Sequence, residues 1–170
     1  LTRLKEAAHQ SIRDEIYRRL LLALRGYAQQ HRQAFDSTVE EDTYLKPAKA
    51  AARKDFKVIV YGHTHLAKRV ALDVGDAVYL NTGTWADLLR VPEAVLGDDE
   101  AAARRQLEAF VDDLDHARLD GWRCQMPTFA RIDLDGDSVG ACDVFVFDGA
   151  GKVSALPRGP LTLLSYARGT

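Results

Sequence analysis

Two histidines separated by one residue follow directly on a β-branched run: Val58-Ile59-Val60-Tyr61-Gly62-His63-Thr64-His65. In extended backbone, side chains at i and i+2 leave the chain on the same side, so both imidazoles can reach one small volume. Neutral imidazole binds divalent transition metals, and His63 and His65 are therefore the first candidates for metal chemistry. Two ligands do not fill a tetrahedral or octahedral shell, so further donors have to arrive from elsewhere. Without them the pair has a simpler account, two imidazoles hydrogen-bonded to loop carbonyls. Thr64 and the turn Asn81-Thr82-Gly83-Thr84 could supply the hydrogen bonds that orient a ligating imidazole, whose second N–H usually goes to an acceptor. Ordinary turn chemistry at a strand end explains them equally well.

Other chemistry-bearing groups fail on their own terms. Asp133-Leu134-Asp135-Gly136-Asp137 has the look of a calcium loop, but Ser138 stands where that loop needs glycine and Val144 where it needs a bidentate glutamate. Cys124 has His116 eight residues away and no third partner, which leaves a structural thiol. Asp112, Asp113 and Asp115 read as a solvated helix face.

The elements that must position the histidines can be read from periodicity. Leu4, Ala8, Ile12, Ile16, Leu20, Leu24 and Tyr27 recur at intervals of four and three, which predicts an amphipathic helix starting within residues 1–5 and ending near His31. Its broad Leu20–Leu24 run fits a helix packed between two layers; a membrane-surface helix is the weaker alternative, given the mixed charges of the polar side. Residues 43–54 predict a short helix with Pro47 in its first turn. Lys57 to Tyr61 reads as a strand covered on both faces. Arg69 to Asp73 and Ala77 to Thr82 form a hairpin about Val74-Gly75-Asp76, so the sheet is mixed. Asp98 to Leu119 predicts a second long helix capped by Asp98 or Asp99. Thr128 to Leu134 and Ser138 to Phe147 predict a terminal hairpin about Asp135-Gly136-Asp137. Residues 149–170, rich in glycine and proline, read as an irregular tail. The fold class that follows is α/β, a mixed β-sheet with flanking helices.

Composition narrows the functions. The chain has 170 residues, 46% hydrophobic and 28% charged, with a net charge of −2, so it can build a core and lacks the basic footprint of a nucleic-acid binder. Its two cysteines have no metal or disulfide spacing, which points to a reducing, cytoplasmic setting. No apolar stretch reaches the roughly 20 residues needed to span a bilayer, and no signal peptide is visible. The chain opens on Leu1 and has its one methionine at Met126, so a processed or partial form of a longer protein is expected.

The stretch in which strand, Gly62-His63-Thr64-His65, hairpin and Asn81-Thr82-Gly83-Thr84-Trp85 follow in order resembles the carboxyl-terminal motif of calcineurin-like metallophosphoesterases. The similarity covers residues 56–89, about a fifth of the chain. It implies the carboxyl-terminal part of an αββα sandwich over residues 1–148. It also implies a dinuclear centre, with His63 on one metal and His65 on the other. The cofactors would be two divalent ions, manganese, iron or zinc, whose shared hydroxide attacks phosphorus in line. The substrate would be a phosphate ester or diphosphate.

Family members carry three earlier motifs, D-x-H, G-D-x-x-D and G-N-H-D/E, and none is present here. Asn81 is the one asparagine and precedes Thr82; Gly75-Asp76 and Gly97-Asp98 come after the histidines; Asp115-His116 is adjacent rather than spaced. A further upstream histidine would have to be His9 or His31, both on or beside the first helix. The expectation is a carboxyl-terminal segment of a metal-dependent phosphoesterase whose partner is the missing amino-terminal half of the same domain, inactive alone. The alternative is a non-catalytic binding or scaffolding module that keeps the sheet.

Overall fold

The computed structural model describes residues 2–30, 34, 36–62, 64–147 and 150–160. In chain order the elements are α1 (Thr2–Gln30), α2 (Asp42–Ala52), β1 (Val58–Tyr61), β2 (Ala67–Ala71), β3 (Val78–Thr82) and β4 (Leu88–Leu89). Then come α3 (Glu93–Leu96), α4 (Glu100–Asp115), β5 (Arg123–Cys124), β6 (Thr128–Asp135), β7 (Ser138–Phe147) and β8 (Val153–Ala155). The class is mixed α/β, with three small sheets and flanking helices. The chain divides into two compact units, residues 1–31 with 89–123 and residues 32–88 with 124–170.

The first unit is helical. Tyr17 and Leu21 of α1 bury against Val95, Ala103 and Leu107, with Leu20 and Leu24 partly covered beside them. Leu22 stays exposed, so the Leu20–Leu24 run is divided between core and surface. Arg25 fastens the short α3 by donating from Nε to the Val95 carbonyl at 3.0 Å, and its guanidinium also reaches the Gly97 carbonyl and Glu100. The second long helix is shorter than its sequence pattern predicts. Asp99 caps it, accepting from the Ala101 and Ala102 amides at 3.0 Å each, which satisfies two donors that a helix start leaves open. It stops at Asp115, where Arg118 turns back onto Asp112 and Asp113 and Trp122 donates to Asp113 at 2.9 Å. Among the described residues, no helix is long and apolar enough to cross a membrane.

The second unit stacks a helix and two sheets. Its central sheet has the order β1-β3-β2, with β1 parallel and β2 antiparallel to β3. Alternation along these strands sends residues to opposite faces. Ile59 and Tyr79 go to one side, where Ala48 and Ala52 of α2 and Leu72 and Ala77 cover them. Ala67 and Leu80 go to the other, against Met126, Val144, Val146 and Leu156 from the β6-β7-β8 portion. The β2–β3 turn uses positive φ at Gly75 (58°) and Asp76 (53°), the pair of left-handed residues that suits the twist of a tight hairpin. Helix α2 begins at Asp42, so Pro47 lies in its second turn rather than its first and removes the bond its nitrogen would have donated to Thr43.

Strand β1 differs from the fully covered strand its composition predicts. Ile59 is buried, Val58 half-buried, and Val60 is 42% exposed. Among the described residues β1 pairs with β3 alone, which leaves it an edge strand. Within residues 149–170, read above as irregular, Val153–Ala155 pairs with β7 and Leu156 enters the core. A three-residue strand between glycines and prolines carries no periodic signal, and it is β7 that supplies its partner groups. Lys68 is buried on β2, and its Nζ donates to the carbonyls of Ala34, Asp36 and Val39 at 2.7, 2.9 and 2.6 Å. All three ammonium protons are used, which makes a buried charge tolerable. Burial lowers the Lys68 pKa, opposed by nearby Glu40, Asp36 and Glu41.

Candidate functional site

Because β1 and β3 are parallel, their carboxyl ends lie side by side, with Tyr61 opposite Asn81. That edge of a sheet is where α/β proteins place ligands. The chain leaves β1 through Gly62, where a Cβ would meet the Thr82 hydroxyl at 3.2 Å, and returns as β2 at Ala67. His65, in this turn, has φ of 61°. An L-residue held in the left-handed region stores strain of about 1 kcal/mol, which the surrounding turn must hold in place. Its ring is exposed.

Asn81, 0% exposed, fixes this turn from the neighbouring strand. Its Nδ2 donates to the Thr64 hydroxyl at 2.7 Å and to the Tyr79 hydroxyl at 3.2 Å, and its Oδ1 accepts from the Gly83 amide at 3.1 Å. Tyr79 in turn donates to Glu40 Oε2 at 2.9 Å. Burial raises the Tyr79 pKa, with the hydrogen bond to Glu40 adding to it and the bond from Asn81 opposing it. Tyr61 meets the Tyr79 ring edge-on at 5.3 Å. Gly83 has φ of 67°, and a Cβ there would lie 2.5 Å from Thr128 Oγ1 and 3.1 Å from the Ala67 nitrogen. Only glycine fits where the turn passes that close. Beyond it Trp85 is anchored by its indole N–H on the Thr128 carbonyl at 2.7 Å while the residue remains 70% exposed.

Of the two histidines read from the sequence, His65 lies in this turn and His63 is outside the described residues. Thr64 and Asn81, which the sequence offered as hydrogen-bonding partners of the site, are in contact. Tyr79 and Glu40 join them without having been singled out; Tyr79 lies within the Ala77 to Thr82 strand read from the sequence, while nothing in the local pattern marks Glu40. Imidazole suits a transition metal, yet among the described residues no three His, Cys, Asp or Glu side chains converge to hold one. The described residues therefore do not by themselves complete an ion's shell.

The remaining candidates lie elsewhere. His9 is on α1 and His116 caps α4, with Nδ1 2.7 Å from the Asp112 carbonyl; His31 is outside the described residues. Cys124 is buried, Cys142 half-buried, and both are free thiols. The Asp135-Gly136-Asp137 segment is the β6–β7 turn, and Val144 is buried in the core, as a hairpin requires. A groove of about 820 Å³ opens at the far end of the strands among Lys57, Arg69, Asp76, Arg131, Asp133 and Phe145. Its cations are engaged locally, Arg131 with Asp133 at 2.8 Å, Arg69 with Asp143 at 3.8 Å and Lys57 with the Gly75 carbonyl at 2.9 Å. No family model, curated protein or solved structure matches the chain.

Proposed function

We propose that this chain carries the histidine turn of a calcineurin-like metallophosphoesterase and is the carboxyl-terminal part of that domain's αββα sandwich. The reaction is hydrolysis of a phosphate ester or diphosphate bond. His65, with His63, contributes imidazole ligands to a dinuclear site of manganese, iron or zinc, whose other ligands come from the amino-terminal half of the same domain. The observation that supports the reading is the tie between Asn81 and Thr64 at the carboxyl ends of parallel β1 and β3. It holds the residue between the two histidines from a fully buried side chain, as a site that must orient imidazoles requires. The strained backbone at His65 and the edge of β1 that no described residue pairs with fit the same reading, the first as a conformation kept for use and the second as the seam with the rest of the sheet. Metal analysis of the full-length protein, together with hydrolysis of a chromogenic phosphodiester, tests it. About two transition-metal ions per chain and metal-dependent turnover are expected; a metal-free, inactive full-length protein refutes it.

A further inference from the structure

The direction of every hydrogen bond around Asn81 can be worked out from one donor that has no choice. The Gly83 backbone N–H can only donate, so the Asn81 atom 3.1 Å from it is the carbonyl oxygen Oδ1. The amide nitrogen therefore faces Thr64 at 2.7 Å and Tyr79 at 3.2 Å, and both hydroxyl oxygens act as acceptors toward it. Each must then send its own proton elsewhere. Tyr79 sends its proton to Glu40 Oε2 at 2.9 Å. Among the described residues Thr64 has one acceptor, the Leu66 carbonyl at 3.5 Å, which lies beyond the 2.5 to 3.0 Å range of an O–H···O bond. Among the described residues, the half-buried Thr64 hydroxyl is thus left as an oriented donor without a partner at bonding distance, in the turn that carries His65.

We infer that Thr64 is a ligand-binding residue whose hydroxyl donates to an anionic oxygen, a phosphoryl oxygen, of the molecule bound at this turn. The identity of the ligand rests on the phosphoesterase reading; the direction of the proton does not. A neutral hydroxyl donating to a charged oxygen contributes more than one donating to water, because charge-assisted bonds are about twice as strong as neutral ones. Thr64 would grip the phosphoryl group without competing with the imidazoles on either side of it in sequence.

The test is calorimetric binding of inorganic phosphate to the full-length protein and its variants, with an unfolding midpoint for each. Thr64→Val keeps the shape and removes the donor, and should weaken phosphate binding about tenfold or more. Thr64→Ser keeps the hydroxyl and should bind within about threefold of the parent. Asn81→Asp leaves Thr64 in place but replaces its donor with an acceptor, so the Thr64 proton is drawn inward; the same loss as Thr64→Val is expected. If the buried carboxylate prevents Asn81→Asp from folding, the Val and Ser pair decides alone. Thr64→Val binding phosphate like the parent, with an unchanged midpoint, overturns the inference and leaves the phosphoesterase reading standing. Loss of phosphate binding in Thr64→Val beside a parent that hydrolyses no phosphodiester keeps the Thr64 assignment and removes the hydrolase. A parent that binds no phosphate removes both.

Discussion

Asn81 reaches 2.7 Å from β3 to the Thr64 hydroxyl, so the last turns of two parallel strands are joined by one buried side chain. The same carboxamide serves the Tyr79 hydroxyl and the Gly83 amide. Leucine at position 81, with the same number of side-chain heavy atoms, would orphan the buried Gly83 amide and remove the donor that the Thr64 and Tyr79 oxygens accept from. Each orphaned group costs about 1 to 3 kcal/mol, with partial relief where water can enter. Asn81→Leu should therefore destabilise the protein by about 2 to 4 kcal/mol, read as a fall in the denaturation midpoint at unchanged slope. A loss under 0.5 kcal/mol would mean that the network is incidental.

Gly83 is held between Thr128 and Ala67 with φ of 67°. Alanine there combines a left-handed backbone, worth about 1 kcal/mol, with a Cβ inside the contact distance of Thr128 Oγ1. Because Thr128 also donates to the Thr82 carbonyl, it cannot rotate away freely. Gly83→Ala should cost about 2 to 4 kcal/mol, whereas Gly26→Ala, whose Cβ meets nothing within 4 Å in α1, should gain stability by up to about 1 kcal/mol. Thermal denaturation of the two variants side by side checks the contrast, and equal effects would contradict it.

Tyr79 links pH to the same network. Burial raises its pKa above the ordinary 10.0, so the folded state holds the phenolic proton more tightly than the unfolded chain. The stabilisation is fully present below pH 10 and is lost as pH rises above it, because there the folded protein binds more protons than the unfolded one. Stability should fall with increasing pH above about 10, and Tyr79→Phe should flatten that fall. Chemical denaturation at pH 9, 10 and 11 measures it. A parent and variant with the same slope would show that Tyr79 ionises freely.

Local patterns made much of this molecule readable. The β-branched run ending in Gly62-His63-Thr64-His65, the Asp99 cap and the two hairpins rest on interactions within a few residues, and turn chemistry states them directly. What the sequence hides depends on contacts between distant segments. Glu40 and Tyr79 are 39 positions apart, so their bond leaves no periodic trace. Lys68 sits in a strand as a charge that reads as solvent-facing, and its burial is legible only once three carbonyls of the 34–39 segment surround it. The helical unit is assembled from residues 1–31 and 89–123, segments that periodicity describes as unrelated. Strand β8 takes its extended form from β7, which a glycine- and proline-rich stretch does not announce.

Whether His65 is a metal ligand is decided by turnover of a chromogenic phosphodiester by full-length His65→Ala, at saturating manganese, with the denaturation midpoint taken on the same sample. His65 is exposed and has a left-handed backbone, so its side chain contributes little to the core, and His65→Gly should be at least as stable as His65→Ala because glycine relieves the strain. With His65 as a ligand, turnover falls by about a thousandfold or more while the midpoint stays within the equivalent of about 0.5 kcal/mol. Near-normal turnover accompanied by a clear loss of stability would contradict it, and would make His65 a turn residue rather than a ligand.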